Sequence, residues 1–508
     1  MNTYLDSAII LDCTYNDLLT NERSQIIRPL APMALHHLCI QKEYPATVLD
    51  YFWDWDNNDL MTYIIKWCEK NNVNRPVLLA SSLFNINVLQ KNNKFYNFIK
   101  KFREVFPDSL FFTGGPLAIL DKECDILPDA IFRGRSLHLF ERWLEYPDDP
   151  YPNTLTNENG VAVYNRTDHI IRETPVVPVL YDDYCLDNND IITFETRLGC
   201  KFNCAFCNYE FRNAKNIRDA SSEELYNFFN TANNKYGVKY FSVADDTFNE
   251  DDEKLLNVKQ ATDQLNFKPL MAGFTRFDIL MGRPQQAELL DDIGFWGHFF
   301  GIETLHREAS KKIRKGIRHQ EAYRFLKEFK EYYPHHWVCS GYIIGLPPEP
   351  LEHVYEVWDH MIKNNLIDGG IINDLILYRH QDYHGSHDLD SSDMSREPEK
   401  YGFKITGKID GIYQWQTEYM NNKIAEIHTA KLSNKLLTKG IPIIDGWEAL
   451  GRTALGVSNF FDPLEKQQYK DSLKKSNGLL YIKDSSAEKR LHHVNNYILR
   501  KKAYVKSL

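Results

Sequence analysis

At 508 residues the chain is long enough for about three domains, and its 43% hydrophobic and 13% aromatic content excludes a disordered polymer. A formal net charge of −10 argues against a generally basic nucleic-acid binder. No apolar run reaches membrane-spanning length, and the start, Met1 to Asp6, lacks a basic region followed by an apolar stretch, which predicts a cytoplasmic protein. The nine cysteines form an odd set with one tight cluster, so they are not a disulfide framework, and a reducing compartment is expected.

Short runs rich in Ile, Val, Leu and Phe at 7–11, 47–52, 77–80, 110–113 and 130–132 read as buried parallel strands. Helical stretches at 33–42, 59–70 and 92–105 lie between them. This alternation predicts a doubly wound parallel sheet over residues 1–147, with ligands held beyond the carboxyl ends of its strands, where loops 12–16, 81–85 and 114–116 converge. Pro150, Pro152, Pro175 and Pro178 mark an interdomain connection, 148–185, with a small hairpin at 161–164 following Asn159-Gly160.

Six further strands are expected at 191–197, 240–244, 270–274, 298–302, 338–344 and 371–378, separated by helices such as 222–236 and 319–332. They make a second α/β unit over 186–385, whose function gathers at the carboxyl ends of its strands. Residues 386–508 read as an α-rich region that closes the mouth of that unit and shapes a substrate pocket. Tyr413, Trp415, Tyr419 and Trp447 there suit stacking on a planar substrate, although aromatics at such density are more often core. The tail from Lys483 carries Lys489, Arg490, His492, His493, Arg500, Lys501, Lys502 and Lys506. A solvated helix face is its simplest reading, with nucleic acid as the alternative partner.

Just after the first strand of the second unit stand Cys200, Cys204 and Cys207. Cysteine supplies soft anionic sulfur to cluster iron, and three thiolates leave one iron of a cubane open, which makes a reaction site. A zinc knuckle needs four ligands, usually as two close pairs. No second pair exists: Cys185 and Cys339 are lone, and His380 and His384 lie far along the chain.

With aromatic Phe206 before the third cysteine, this spacing resembles the signature of the radical S-adenosylmethionine superfamily, and six strand–helix units resemble its incomplete barrel. The resemblance implies a 4Fe–4S cluster on the three cysteines and S-adenosylmethionine chelating the open iron. It assigns Asp245 and Asp246 to the methionyl amino group and Glu303, in Gly301-Ile302-Glu303, to the ribose or amino group. Gly345 would lie beside adenine; the following Pro347-Pro348 departs from the usual single proline. Arg276 pairs with either the methionyl carboxylate or Asp278, and the basic cluster Lys311, Lys312, Arg314 and Lys315 is expected to be a solvated helix terminus.

Ser81-Ser82-Leu83 and Gly114-Gly115 resemble elements of a cobalamin-binding domain, small residues that let a nucleotide tail lie against backbone. The histidine element of that family is missing, since residues 11–16 hold no histidine. The first domain therefore either binds cobalamin without that ligand or is a relic with no corrin. The implied activity is reductive cleavage of S-adenosylmethionine to a 5′-deoxyadenosyl radical, in a cobalamin-dependent methyltransferase acting on an unactivated carbon. The alternatives are a cobalamin-independent epimerase, isomerase or cyclase acting on a nucleotide or peptide and, in a different class, a non-catalytic iron–sulfur protein. An electron donor such as flavodoxin or ferredoxin is implied as partner.

Overall fold

The computed structural model describes residues 6–13, 26–81, 93–115, 126–135, 137–146, 155–158, 160–164, 175–209, 218–317, 319–379, 391–409, 411–480 and 485–508. Eight strands open the chain: β1 (Ser7–Asp12), β2 (Ile27–Arg28), β3 (Ala46–Leu49), β4 (Pro76–Ser81), β5 (Phe111–Gly115), β6 (Ala130–Arg133), β7 (Leu155–Glu158) and β8 (Val161–Tyr164). All but β2 form one sheet in the order β3-β1-β4-β5-β6-β8-β7, parallel except for β7. Every residue of β1 and β4 is buried, as strands covered by helices on both faces must be, and this is why they read as unbroken apolar runs. The β7–β8 hairpin is not a free-standing part of a connector. It extends the first sheet past residue 147, because Val163 continues the parallel ladder beside Ile131.

The second sheet comprises β9 (Ile191–Phe194), β10 (Tyr240–Val243), β11 (Leu270–Thr275), β12 (Phe295–Glu303), β13 (Trp337–Ile344) and β14 (Gly369–Asp374), in the order β14-β13-β12-β11-β10-β9-β2. All its pairings are parallel, as in an incomplete barrel. Its edge is closed by β2, a two-residue strand from the first 147 residues, paired through Ile27↔Ile191 and Arg28↔Ile192. The two domains therefore share a sheet. Helix Ser222–Tyr236 is set by a capping box between Ser221 and Glu224, which fixes its start where the sequence predicts it.

The C-terminal region packs into the second unit at the end away from the strands' carboxyl termini. Helix Gly446–Ala454 packs against the concave face at the amino-terminal half of the strands, and Ile444, Ala449 and Leu450 share a core there with Ala272, Trp337 and Cys339. The approach is close enough that a Cβ on Gly297 would lie 3.1 Å from the Gly446 carbonyl oxygen. Trp415 is core, with Nε1 donating to the Leu375 carbonyl at 2.9 Å, whereas Tyr419 is exposed.

Helix Ser486–Ser507 docks back on the first domain, adding Val494, Tyr497, Ile498 and Val505 to the core that holds Trp55, Tyr63 and Trp67. Its basic residues are largely spent inside the molecule. Arg490 pairs with Asp54 at 2.7 Å, Arg500 with Asp187 at 2.6 Å, Lys502 with Asp59 at 2.6 Å and buried Lys501 with Asp183 at 3.5 Å. These pairs take up Arg490, Arg500, Lys501 and Lys502, so that part of the tail is an internal interface rather than a solvated face, while His492 and Lys506 stay exposed. Among the described residues no helix is long and apolar enough to cross a membrane.

The docking is acid-sensitive. Burial alone would raise the Asp183 carboxyl, but the Lys501 ammonium and His36 hold it down at about 2, against an ordinary 3.8. A depressed folded-state value contributes stability above the unfolded pKa and loses it as pH falls, so roughly 2 kcal/mol should disappear between about pH 4 and pH 2. Denaturation midpoints across this range should fall in the parent protein and stay flatter in Asp183→Asn. Equal slopes would show that the pair contributes nothing to docking.

Candidate active site

The cysteine loop leaves the carboxyl end of β9 and is pinned from several sides. Buried Asp245 accepts from Thr196 N at 2.7 Å and Thr196 Oγ1 at 2.5 Å and pairs with buried Lys254. Arg197 holds Asp219, Glu250 and Asp251, while Lys201 N donates to Glu250 at 2.6 Å. Farther along, Arg314 donates to the Asn203 carbonyl at 2.6 Å and reaches Asp393, and Met394 N donates to the Ala205 carbonyl at 3.0 Å. Buried Asp245, Lys254 and Glu250, ringed by the partly exposed pairs of Arg197 and Arg314, tie the loop down from several sides.

Each cysteine sulfur has a polar neighbour. The Thr247 hydroxyl lies 3.6 Å from Cys200 Sγ, Arg276 donates to Cys204 Sγ at 3.2 Å, and Tyr209 N donates to Cys207 Sγ at 3.4 Å. All three cysteines are partly exposed. Burial pushes the Cys207 thiol up to about 12 and the Cys200 thiol upward. A pocket that resists bare thiolates, yet aims donors at the sulfurs, fits thiolate ligands whose charge is met by iron. Among the described residues, the groups whose donor atoms all lie within 4.8 Å are elsewhere, so these sulfurs are spread more widely than ligands around a single ion.

Other sequence-chosen residues take different places around the loop. Phe206 packs against the barrel's outer core. Asp246, unlike Asp245, is half-buried beside the cysteines; burial first, then the negative charges of Asp245 and Glu195, push its carboxyl up to about 7 while the Tyr209 hydroxyl bonds to it. Arg276 forms a two-pronged pair with Asp278 at 2.8 and 3.0 Å and stacks 3.9 Å over Phe202, so its guanidinium serves Asp278 and Cys204 together. Glu303 ends β12 at φ 64°, after a register shift against β13, and pairs with Lys315 at 3.3 Å. At Gly345 (φ 113°) a Cβ would sit 2.6 Å from Trp415, so on that side the ring against the glycine is an indole of this chain.

The basic cluster is only partly solvated. Arg314 and Lys315 are tied into the site through Asn203, Asp393, Glu303 and the Gly301 carbonyl, which corrects the helix-terminus expectation for these two residues. A further feature lacked any sequence signal: Arg135, just beyond β6, clamps buried Glu195 at the end of β9 with bonds of 2.5 and 2.7 Å. It joins the mouth of the first domain to that of the second.

In the first domain Ser81, Gly114 and Gly115 end β4 and β5, and Leu83 lies outside the described residues. Ser81 Oγ donates to the Leu11 carbonyl at 3.2 Å; Gly115 adopts φ 126°, and Gly134, past the end of β6, φ 69°. Among the described residues, Gly114, Gly115 and Gly134 leave the backbone bare at the ends of β5 and β6. Such a cradle fits a cofactor tail lying close to backbone.

A three-cysteine loop at the mouth of a parallel partial barrel, joined to a doubly wound domain, defines the class as a two-domain α/β protein with a cysteine loop at the carboxyl ends of its second sheet. Residues 195–361 match the family described as the Radical SAM superfamily. An uncharacterized methyltransferase of Pyrococcus horikoshii is 26% identical over 229 residues, 45% of this chain and 48% of that protein, so the match spans about half of the relative's length. Among solved structures, the radical S-adenosylmethionine methyltransferase TsrM from Kitasatospora setae, with tryptophan substrate and a SAM analogue bound, aligns at a TM-score of 0.60 with 12% identity, covering 93% of this chain and 99% of that one. The cobalamin-dependent S-adenosylmethionine radical enzyme OxsB, with aqua-cobalamin and S-adenosylmethionine bound, aligns at 0.55 with 11% identity, covering 99% of this chain and 79% of that one. These likenesses establish the fold across both domains.

Proposed function

We propose that this protein cleaves S-adenosylmethionine reductively at a 4Fe–4S cluster on Cys200, Cys204 and Cys207, and that its first domain carries cobalamin for methyl transfer to an unactivated carbon. The observation that carries this reading is the pinned loop with a polar partner at each of three sulfurs. When bound, the cluster supplies one electron to the sulfonium and cobalamin supplies the methyl group. The chain's own residues then bind and orient. Asp246 and Thr247, at the carboxyl end of β10, would receive the methionyl ammonium, whereas Asp245 acts as their prop because both its oxygens are already engaged. Glu303, steadied by Lys315, would take the ribose or amino group, and the Gly345 backbone the adenine on the side away from Trp415. Ser81, Gly114 and Gly115 cradle cobalamin. A flavodoxin or ferredoxin serves as electron donor.

Anaerobic reconstitution followed by ultraviolet–visible spectra with and without hydroxocobalamin tests both halves. Stoichiometric corrin retained beside iron–sulfur absorption, with 5′-deoxyadenosine or S-adenosylhomocysteine formed on reduction, supports the reading. Cleavage without retained corrin removes cobalamin and leaves hydrogen-abstraction chemistry. Absence of cleavage by the reduced, iron-loaded protein overturns the enzymatic reading.

Arg276 is proposed as a positioning residue for the cluster rather than a carboxylate binder. Hydrogen bonds to cluster sulfurs raise reduction potentials, and one-electron potentials move about 59 mV per tenfold change in equilibrium constant. Arg276→Gln should therefore lower the midpoint by tens of millivolts, roughly that scale, with Arg276→Lys intermediate, as read by redox titration followed by electron paramagnetic resonance. An unchanged midpoint would show that the contact is only structural.

A further inference from the structure

At the opposite end of the barrel from the cysteine loop, Asp291 closes helix Gln285–Asp292, and His335 and His336 immediately precede β13. Asp291 Oδ1 lies 2.6 Å from His335 Nε2 and 3.1 Å from His336 Nε2. One oxygen and two imidazole nitrogens converge within 4.8 Å of one another. His336 is fully buried, while Asp291 and His335 are 28% and 29% exposed, which leaves a path from solvent.

The surroundings are built. His336 Nδ1 lies 2.8 Å from His298 Nε2, and His298 Nδ1 lies 3.2 Å from Thr275 Oγ1, all within the core. If His336 gives its Nε2 lone pair to a cation, its Nδ1–H donates to His298 Nε2, and His298 Nδ1–H donates to the Thr275 hydroxyl. Every proton has a place. A ligating histidine ordinarily has such a partner on its second nitrogen, which fixes its tautomer and orientation. Trp296 packs edge-on against His335 at 4.7 Å and donates Nε1–H to the Asp291 carbonyl at 3.3 Å, while Lys466 holds the Pro334 and His336 carbonyls at 2.8 and 2.7 Å. Thus both the side chains and the backbone of the cluster are held.

We propose that Asp291, His335 and His336 bind one divalent cation of borderline softness, zinc being the reference case, with its remaining positions open to water. Two imidazoles and a carboxylate suit that class, whereas magnesium or calcium would favour an all-oxygen shell. The cation would clamp helix Gln285–Asp292 to the entry of β13, at the base of the barrel. This assignment is independent of the radical chemistry at the mouth.

The test uses the full-length chain with its cluster, given one equivalent of zinc, dialysed, and assayed for zinc and iron by mass spectrometry. About one zinc per chain is expected in the parent. His335→Ala and the near-isosteric Asp291→Asn should bind at least about tenfold more weakly, a typical cost of disturbing a metal site, with iron and circular dichroism unchanged. If the chain holds no iron, the same comparison is made in Cys200→Ala/Cys204→Ala/Cys207→Ala protein, so that free thiols cannot carry the zinc. Only traces of zinc in the parent, or equal zinc in folded Asp291→Asn, would overturn the site and leave a histidine–carboxylate hydrogen-bond cluster.

Discussion

Cys204→Ala protein, reconstituted anaerobically, is expected to lose its cluster and with it all detectable cleavage of S-adenosylmethionine. Disturbing groups behind metal ligands typically costs 10–100-fold in affinity, so deleting one of three ligands should exceed about 100-fold. Cys204 also carries the contact with Arg276 at 3.2 Å, and its loss leaves that guanidinium aimed at an empty position. The backbone should survive. The loop is held by Asp245–Thr196, Arg197 and Arg314 rather than by the sulfurs, so circular dichroism and the denaturation midpoint should change little. Cys339→Ala is the matched control: this thiol is fully buried in the concave-face core, where burial pushes its pKa well above the ordinary value, and the variant should keep its iron. Iron and visible absorption retained in Cys204→Ala would mean that the ligand assignment is wrong.

Much of this architecture was legible because the sequence marks it locally. Apolar runs of the right length gave five strands of the first sheet and six of the second, and the helix read at 222–236 stands where a capping box starts it. The cysteine loop was legible for a different reason: soft ligands at fixed spacing have few other uses. What escaped was whatever depends on pairing across long sequence separations. Strand β2 is two residues long, too short for any periodicity, and is a strand only because Ile191 and Ile192 lie beside it. Arg135 and Glu195 meet across 60 positions, and Arg500 and Lys501 find Asp187 and Asp183 more than 300 positions away, so their charges looked solvated. Asp245 and Asp246 are neighbours with identical side chains. Only the fold separates the buried prop from the carboxylate beside the cysteines, by turning one toward Lys254 and the other toward Tyr209.

The largest loss of stability is expected from Arg28→Ala. Arg28 is fully buried in the edge strand β2, with Nη1 2.5 Å from Asp50 and Nε 2.8 Å from Asp190, both carboxylates being buried as well. Its guanidinium lies 4.4 Å over the ring of Tyr497 from the C-terminal helix, and His493 of that helix reaches Asp190 at 3.1 Å. One side chain therefore joins the first sheet, the start of β9 and the last helix. Deleting one partner of a buried ion pair costs about 3–5 kcal/mol, because a desolvated charge is left unmatched. Asp190 keeps His493 and the Asp187 amide, but Asp50 loses its ion-pair partner and is poorly placed to bear it: burial already raises its pKa despite Arg28, and among the described residues its Oδ1 has no hydrogen-bond partner. The sign with pH follows. Without Arg28 the folded-state pKa of Asp50 rises farther above the unfolded value, so folding favours proton uptake, and the deficit should be greatest at neutral pH and shrink on acidification. Urea midpoints from pH 7 to pH 5 should show the variant approaching the parent, and adding Asp50→Asn should restore part of the loss at pH 7. A loss below about 1 kcal/mol, the range of an exposed pair, would place this network at the surface energetically and remove it as the joint between the domains.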